Sequence, residues 1–468
     1  MILDNRTRYG KVFMNKHIRQ IFSLMAFFRV CSCSEEAKES LAAAPEERVL
    51  IEGLGVSTNP STVNIFPGTG ELGKFLLNGN EETPVRIGGV WLADGNVIMT
   101  GGADLGRWSG NNVGVLGIDL DIEKLKLWKG GSVGVAFLQF NGMNSNERAG
   151  SVQGVDSMSV LPPYNRTELY EIWFRQTFID NKLVVRVGKT IPTYDFNNVL
   201  LPVHVQDKAK DIPSVSGLLY TPVFNNPINI GVMPGYYNSA YGVTVNIAPF
   251  NNYYVSLGAY DGNLARGSQT GLKGPHFNGY YLYAGETGVS WMAGSQGKPG
   301  NIALGGWVQT GKLSAPTLKL QTVDEMGQPL LVPIPVMVEQ SGAQGLYIFG
   351  AQRLWFQRPT IDNSGISLFW QLGANHAKTL PMNKFVGFGL TAFALTRPKD
   401  SFGMGLVWSE LNHRFFTRSS ELMLQGYYQA HLFCSTYLEP VITYIPTPGG
   451  GNDLPQTWVG TIQMMTLF

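Results

Sequence analysis

Residues 458–468 read WVGTIQMMTLF, and the sequence ends on the phenyl ring of Phe468. In a strand, every second residue lies on the same face. Counted back from Phe468, that face carries Thr466, Met464, Ile462, Gly460 and Trp458. A membrane-crossing strand needs about 9–11 residues tilted near 45°. A last strand of this length is typical of a closed barrel, in which it must pair with the first strand. A soluble protein that ends in a strand is the alternative for this stretch alone.

The composition of the whole chain favours the membrane barrel. Charged residues make up 15% of the chain, against about 25% in a typical soluble domain. Aromatic residues reach 12%, as expected for aromatic girdles at the membrane surfaces. The mean hydropathy is −0.01, which fits strands that turn only every second residue to lipid. Spanning helices are not predicted, because no uninterrupted apolar run of about 18 residues occurs after residue 50. A net charge of +1 without a basic cluster gives no indication of nucleic-acid binding.

The N-terminal region is predicted to be a secretory signal peptide over residues 1–34. Within residues 14–34 (MNKHIRQIFSLMAFFRVCSCS), basic residues precede an apolar run over 21–28, and small residues follow it. We take Met14 as the functional start, since the preceding extension is unusual for a signal peptide. A soluble amphipathic helix is the alternative interpretation of this segment.

The rest of the chain is predicted to form two parts. Residues 35–85 form an N-terminal segment in the periplasm or in the lumen, with a short helix over 69–79. Residues 86–468 form the barrel. The three cysteines, Cys31, Cys33 and Cys434, have spacings that indicate neither a disulfide framework nor a metal motif.

Two-residue alternation runs through the barrel region. Residues 115–127 (VLGIDLDIEKLKL) and 168–179 (ELYEIWFRQTFI) place apolar side chains on one face and mainly polar or charged ones on the other. Gln176 interrupts the apolar face of the second segment, a defect that a β-bulge would correct. Turns follow each segment, and the strands over 133–140 and 183–189 return.

Similar segments continue to the end of the chain. Further strands are predicted over residues 87–104, 215–222, 229–237, 241–248, 253–261, 279–284, 287–292, 301–309, 345–356, 365–374, 385–396, 402–411, 420–430, 437–445 and 457–468. The prediction is an all-β fold, a transmembrane antiparallel β-barrel of about sixteen strands, with eighteen as the upper limit. Residues 142–166, 190–214 and 310–340 are rich in Pro, Asn and Ser and are predicted to be long loops on one rim.

Several segments together resemble the carbohydrate-selective porin family (OprB-type) of Gram-negative outer membranes. They are residues 121–125 (DIEKL) with 127–131 (LWKGG), 171–176 (EIWFRQ), 186–189 (RVGK) with Phe196, 365–370 (GISLFW), 387–390 (GFGL), 397–400 (RPKD), 403–405 (GMG), Glu421, 427–428 (YY), 438–440 (LEP) and Tyr444. The resemblance covers roughly residues 70–468 and implies a β-barrel channel of about sixteen strands for sugar uptake. The signal segment, Thr466 and the insertion at 310–340 depart from the family pattern.

The inward-facing charged residues are the candidate sugar-binding residues. Glu171, Trp173 and Arg175 place a carboxylate, an aromatic ring and a guanidinium on one strand, so hydrogen bonding to hydroxyls and stacking on a sugar face are both available. The other candidates are Asp121, Glu123, Arg186 and Lys189 on neighbouring strands, Arg397 and Asp400 near one rim, and Glu421 on the lumen wall or rim. Wall scaffolding is the alternative role for each of them. Mixed charge disfavours strong ion selectivity.

The predicted function is passive, sugar-preferring diffusion of mono- or oligosaccharides across the outer membrane, without a catalytic residue, cofactor or metal. The histidines are scattered and form no metal-ligand spacing, and Asn375-His376 alone suggests a membrane lipase. A general or ion-selective porin and a barrel-type surface adhesin or receptor are the alternatives. The expected partners are sugars and outer-membrane lipid, and a homotrimer is expected from the porin class rather than from any residue.

Overall fold

A computed structural model describes residues 68–79, 83–159, 165–179, 182–197, 217–233, 238–250, 252–262, 274–321, 332–359 and 364–468. The predicted signal peptide and most of the predicted N-terminal segment lie outside these residues. The described residues include all the strands of the barrel and parts of the two loops that fold into it.

The described residues form sixteen strands in one closed antiparallel barrel. Its strands are β1 (Val85–Thr100), β2 (Trp108–Asp121), β3 (Gly131–Asn141), β4 (Asn165–Phe178), β5 (Leu183–Thr190), β6 (Ala240–Phe250), β7 (Tyr253–Asp261), β8 (Tyr281–Ala293), β9 (Lys298–Gln321), β10 (Val332–Phe356), β11 (Gly365–Asn375), β12 (Met382–Phe393), β13 (Ser401–Leu411), β14 (Ser420–Phe433), β15 (Thr436–Ile445) and β16 (Thr457–Leu467). Each strand pairs with its neighbours in sequence, and β16 closes the barrel on β1. The predicted fold and the favoured strand number are confirmed.

The closure between β1 and β16 explains the pattern of the last residues. The register runs from Val90 opposite Leu467 to Thr100 opposite Trp458. Ile462 on the predicted outer face is 52% exposed, whereas Val459 on the opposite face is 0% exposed. The Phe468 amide donates to the Gly89 carbonyl over 3.0 Å, so the end of the chain is tied to the first strand.

The connections differ in length between the two rims of the barrel. One rim, the short-turn rim, carries residues 122–130, 179–182, 251–252, 294–297, 357–364, 394–400 and 434–435. The other, the long-loop rim, carries residues 101–107, 142–164, 191–239, 262–280, 322–331, 376–381, 412–419 and 446–456. This asymmetry is the usual one in bacterial barrels, whose short turns face the periplasm. Of the predicted loops over 142–166 and 190–214, the described residues 142–159 and 191–197 are in connections of the long-loop rim, and residues 160–164 and 198–214 lie outside the described residues.

Three strand predictions need correction. The predicted strands over 279–284 and 287–292 are one strand, β8, because Gly285 stays in the ladder opposite Leu257 and Gly306. The described parts of 215–222 and 229–237 contain no strand. A short helix (Thr221–Phe224) and a 3₁₀ turn (Pro227–Asn229) occupy this region, and each has a proline at its start, where the missing N–H costs nothing.

The predicted long loop over 310–340 is largely a β-ribbon. β9 and β10 are 24 and 25 residues long, more than twice the roughly 10 residues that cross a membrane. Their pairing continues to Gln321 opposite Val332, whereas the pairing of β8 with β9 already ends at Leu282 opposite Gln309. The outer part of this hairpin therefore extends past the neighbouring strands at the long-loop rim.

Short helices accompany the barrel. They are α1 (Glu71–Leu77), α2 (Ser145–Ala149), α3 (Pro192–Asp195) and α4 (Thr221–Phe224). The prediction of a helix over 69–79 is confirmed by α1, which lies beside the barrel closure: the Thr69 amide donates to the Phe468 carbonyl over 3.1 Å. None of the helices in the described ranges has both the length and the apolar character needed to cross a membrane.

Candidate solute passage

Two connections from the long-loop rim fold into the barrel. Loop A comprises residues 142–159, and loop B comprises the described residues 191–197 and 217–233. In loop B, the amides of Leu219 and Tyr220 donate to Oε1 of Gln425 on β14 over 2.6 and 3.0 Å. Across the barrel, Nε1 of Trp307 on β9 donates to Oδ1 of Asn229 over 2.7 Å. Loop B therefore contacts strands that are far apart in the wall.

Loop B is packed against an apolar inner wall. We define the loop-covered wall as the inner face of β6–β15. The shared core includes Phe196, Leu218, Tyr220, Val223, Ile228 and Met233 from loop B, with Tyr254, Trp307, Tyr347, Phe369, Phe385, Met423 and Tyr427 from the wall. Close contact requires glycine at Gly405, where a β-carbon would lie 2.1 Å from the Tyr220 hydroxyl oxygen. This part of the interior is filled by protein.

A buried carboxylate on the loop-covered wall holds the beginning of loop B. Oε2 of Glu286 on β8 accepts from the Asn197 amide over 2.6 Å and from the Tyr347 hydroxyl over 2.9 Å. Its Oε1 accepts from the Tyr254 hydroxyl over 2.7 Å. Both carboxylate oxygens therefore have donors, one of them from the loop, as a buried charge requires.

Glu421 holds loop A in the same way. Its Oε1 accepts from the Ser151 hydroxyl over 2.7 Å and from the Gln153 amide over 3.0 Å. Its Oε2 accepts from the amides of Val152 and Gly449 over 3.0 and 2.6 Å. The structure places this predicted site residue at a loop anchor, with four donors around one carboxylate.

Asp156 joins loop A to the first two strands of the barrel. Its Oδ2 accepts from the side-chain amides of Asn96 and Asn111, on β1 and β2, over 3.0 and 2.9 Å. The Ser145 hydroxyl and the Met158 amide complete the set, at 3.1 and 2.8 Å. Burial raises the pKa of the Asp156 carboxyl, and the donated hydrogen bonds oppose that rise.

A charged ladder lies on the inner face of β1–β5. We give this name to Arg86, Asp119, Arg175 and Arg186. Arg86 is opposite Asp119 in the register of β1 and β2, and Arg175 is directly opposite Arg186 in that of β4 and β5. Two like charges face each other across the strands, and Asp195 of α3 forms a buried ion pair with Arg186. The structure thus brings the predicted residues Arg175 and Arg186 together.

The remaining predicted residues of β4 and β5 lie beside the charged ladder. The Trp173 ring covers Gly134, where a β-carbon would lie 2.1 Å from the indole. The Lys189 ammonium donates to the Leu169 carbonyl over 2.6 Å. Glu171 follows a bulge, because the register with β3 skips Tyr170. Like Arg175 and Arg186, these side chains are at most 3% exposed, so wall and loop meet closely here.

The bulge lies earlier in β4 than the sequence predicted. Gln176 keeps its place in the ladder, opposite Gly131 and Val185. Its side-chain amide turns to the rim and donates to the Lys129 and Thr177 carbonyls, each over 2.9 Å. The polar interruption of the apolar face is thus satisfied by backbone at the short-turn rim.

Two carboxylates near the charged ladder keep a buried oxygen that no protein group donates to. These atoms are Oδ1 of Asp119 and Oε1 of Glu171. Buried polar atoms in proteins nearly always find a partner, in protein or in water. Both oxygens are buried, and each keeps the capacity to accept a further hydrogen bond, as from a bound water.

Four predicted site residues lie at the short-turn rim. β2 ends at Asp121, so the prediction that Glu123 faces inward from a strand is wrong. Asp121 and Glu123 instead accept from the amides of Lys124 and Gly130, over 3.0 and 2.8 Å, and shape the turn. Arg397 is exposed, and Asp400 accepts from the His431 amide over 2.9 Å, both in the turn 394–400.

The residues that hold the loops were not recognised from the sequence. Asp195 and Asp156 lie in short loop elements without alternation, so no periodicity marks them. Glu286 does follow a period of two with Leu282, Ala284, Gly288 and Ser290, all buried, and reading β8 as one strand would have placed it inside.

Cys434 is disulfide-bonded, which the cysteine spacing did not predict. It is 4% exposed and lies in the turn between β14 and β15. Cys31 and Cys33, the other cysteines of the chain, lie outside the described residues. In the part of the chain that the structure describes, His, Cys, Asp and Glu side chains form no group of three or more that could hold a metal ion.

A closed barrel of sixteen strands with inward-folded loops and a charged inner wall defines an outer-membrane porin. The family model for the carbohydrate-selective porin, OprB family, matches residues 112–468. The chain therefore belongs to that family, as its sequence resemblance indicated. It is a sugar-preferring porin of a Gram-negative outer membrane, a channel rather than an enzyme.

Individual relatives agree with this assignment. Porin B of Pseudomonas aeruginosa is 24% identical over 387 residues, which cover 75% of this chain and 80% of the relative. A high-pH structure of Pseudomonas putida OprB has a TM-score of 0.68 at 20% identity and covers 84% of this chain and 96% of its own. A low-pH structure of the same protein has a TM-score of 0.54 at 16% identity, with coverages of 88% and 99%. The two structures show the same fold.

Proposed function

We propose that mono- and oligosaccharides cross the barrel along the inner face of β1–β5, in contact with the charged ladder. The observation that supports this proposal is the gathering of charged side chains on one side of the barrel. Loop B packs apolar side chains on the loop-covered wall, whereas the charged ladder lies together on β1–β5. The solute path is therefore assigned to the charged side of the barrel.

The chemistry of the ladder suits an uncharged solute that carries hydroxyl groups. Guanidinium groups donate to sugar oxygens, and carboxylates accept from sugar hydroxyls, so the wall replaces part of the solute's hydration. Arg175 and Arg186 are balanced by Asp119 and Asp195, which limits the preference for ions of one sign. The groups Asp121, Glu123, Arg397 and Asp400 would act at the periplasmic mouth.

Single-channel recording with added sugar tests the proposal. Sugars of increasing length should reduce the ion current of the wild type in a saturable way. Arg175→Ala and Arg175→Gln should weaken this block by about fivefold, as expected for the loss of roughly 1 kcal/mol of hydrogen bonding. Arg175→Lys should retain part of the block, because it keeps the charge but not the planar fork.

The matched control is Lys384→Gln, which removes one exposed positive charge from an ion pair with Glu410 on another part of the barrel. It should leave sugar block unchanged. If the sugars fail to saturate in the wild type, the general or ion-selective porin is favoured. If Arg175→Gln and Lys384→Gln have the same effect on sugar block, the sugars do not contact the charged ladder.

The β9–β10 ribbon favours surface interaction as a second candidate function. The ribbon projects past the neighbouring strands at the long-loop rim, where a surface adhesin or receptor would present a binding element. Deletion of residues 314–339 should leave sugar flux intact. A loss of cell or ligand binding in that deletion would support the second function, and an unchanged phenotype would contradict it.

We propose in addition that the chain acts without catalysis or cofactor and assembles as a homotrimer in outer-membrane lipid. Exposed outward side chains, among them Leu346, Met404 and Ile462, support the contact with lipid. Light scattering of the detergent-solubilised protein should give three chains per particle. A monomer would contradict the trimer and leave the sugar route unaffected.

We propose that residues 1–34 are removed on export, residues 35–85 belong to the periplasm or lumen, and residues 86–468 form the barrel. The intact mass of the exported protein should match a start at residue 35. A mass that still includes residues 1–34 would contradict this cleavage.

A further inference from the structure

An apolar groove runs along the lipid-facing side of β1 and β13–β16. Its volume is about 540 Å³, and apart from the backbone its lining is formed by apolar side chains such as Val97, Met404 and Ile442. Gly95, Gly426 and Gly460 form its floor, because they place no side chain on the outer face. In a membrane such a depression is filled either by a hydrocarbon chain or by a partner protein.

The groove has a defined depth in the membrane. Directly towards the long-loop rim, the rings of Tyr444 and Trp458 are stacked with centroids 4.5 Å apart, and Trp108 is 63% exposed at the groove edge. Tryptophan and tyrosine mark the height of the lipid headgroups. The groove therefore lies just below the headgroups of the outer leaflet, among acyl chains.

Positive charge lies immediately above these rings. Arg107, 70% exposed, and Arg148 share one carboxylate: their Nε atoms lie 3.3 and 3.8 Å from the Asp104 oxygens. Arg148 also donates to the Trp108 carbonyl over 3.0 Å, which fixes the pair beside the groove. The two guanidinium groups share one carboxylate, so the more exposed of them, Arg107, keeps N–H donors for an anionic group at headgroup height.

We propose that this face binds one phosphate-bearing lipid of the outer leaflet, with an acyl chain in the groove and a phosphate on Arg107 and Arg148. The vertical order of cations, aromatic rings and apolar groove matches the order of phosphate, ester region and acyl chain in such a lipid. Charge complementarity between the two guanidinium groups and a phosphate argues for this occupant.

Native mass spectrometry of the full exported protein in detergent tests the proposal. The probes are diphosphorylated lipid A, lipid A without phosphate, and phosphatidylcholine. The wild type should bind one diphosphorylated lipid most tightly. Arg107→Gln should weaken that binding by about fivefold, the factor for one cation near a charged headgroup, without changing binding of the phosphate-free form. The matched control Lys378→Gln, on another turn of the long-loop rim, should have no effect.

Filling the groove tests the acyl-chain site. At Gly426 a β-carbon would lie 3.7 Å from its nearest neighbour, so Gly426→Leu fits the wall and occupies the groove. It should weaken binding of both lipid A forms by about tenfold. The control is Gly285→Leu on the lipid-facing side of β8, with a similar clearance of 3.6 Å. It should bind lipid as the wild type does.

Two results would overturn the proposal. One is equal retention of diphosphorylated lipid A by the wild type, Arg107→Gln and Gly426→Leu. The other is a change of oligomeric state in Gly426→Leu with lipid retention intact, which would make the groove an interface between copies of the chain. Neither result bears on sugar block of the ion current, so the proposed function stands or falls separately.

Discussion

The inner face of β1–β5 and the loop-covered wall follow the same two-residue alternation, but their inward-facing carboxylates have different hydrogen-bond partners. On the loop-covered wall, both carboxylate oxygens of Glu286 and of Glu421 accept hydrogen bonds from loop or wall donors. On β2 and β4, Asp119 and Glu171 each keep an oxygen that no protein group donates to, and so does Glu439 on β15. An inward carboxylate of this barrel therefore holds a loop only where the folded loops bring donors to it.

The apolar content of the two walls shows the same division. Loop B fills the interior with aromatic and aliphatic contacts and so excludes water from the loop-covered wall. In the charged ladder, Arg175 and Arg186 face each other, and Asp119 and Asp195 supply the counter-charges that stabilise this placement. One side of the barrel is thus packed with apolar groups, and the other carries the charged ladder.

The largest effect is expected for Glu421→Ala. The change leaves three loop amides without an acceptor and should cost about 3 kcal/mol or more in loop stability. Loop A should become sensitive to proteolysis, and the open-channel current should become noisier. The control Glu410→Ala removes an exposed carboxylate from its pair with Lys384, which should cost less than about 1 kcal/mol. If both variants are cut by protease at the same rate, Glu421 does not hold loop A in place.

A smaller effect is expected for Trp307→Phe on the loop-covered wall. The ring is kept, but the buried donor to Asn229 is lost, and this should cost about 1–2 kcal/mol of unfolding free energy. Trp291→Phe removes an equivalent bond to Gln352 from the partly exposed outer surface and should cost less. Denaturant unfolding in detergent compares the two. A larger loss for Trp291→Phe would mean that loop B contributes little to stability.

The smallest effect concerns pH at Asp156, where loop A reaches β1 and β2. Because burial raises the pKa of its carboxyl, its contribution to stability is complete below the ordinary aspartate pKa and is lost as pH rises through the raised value. The stability of the wild type relative to Asp156→Asn should therefore fall from pH about 4 upward, by at most about 1.4 kcal/mol per pH unit. Thermal unfolding of both proteins over this range measures the difference. A relative stability that rises with pH would show that the donors to Asp156 outweigh its burial.

Much of the wall could be predicted from the sequence, because the direction of a strand side chain depends on local parity. Parity placed Arg175 and Arg186 inside, and it placed Ile462 outside. It failed at Glu123, beyond the end of β2, and at Gln176, whose side chain turns to the rim. Strand ends and bulges depend on how each strand pairs with its neighbours. The periodicity of a single strand does not give that information.

The inward folding of the loops could not be predicted from sequence patterns. Segments rich in Pro, Asn and Ser indicated loops at 142–166 and 190–214, but not that these loops fold inward. The contact between the Gln153 amide and Glu421 joins residues 268 positions apart. The ribbon over 310–321 and 332–340 was missed because prolines suggested a loop, whereas the paired hairpin tolerates them.

By itself, the order of residues determined a closed, lipid-facing barrel of the porin class and the set of charges that point inward, since both follow from a period of two and from chain length. Only the tertiary structure decided which of those charges hold loops and which gather in the charged ladder. The reason is physical: the role of a buried charge depends on the number of donors around it, and distant loops supply those donors.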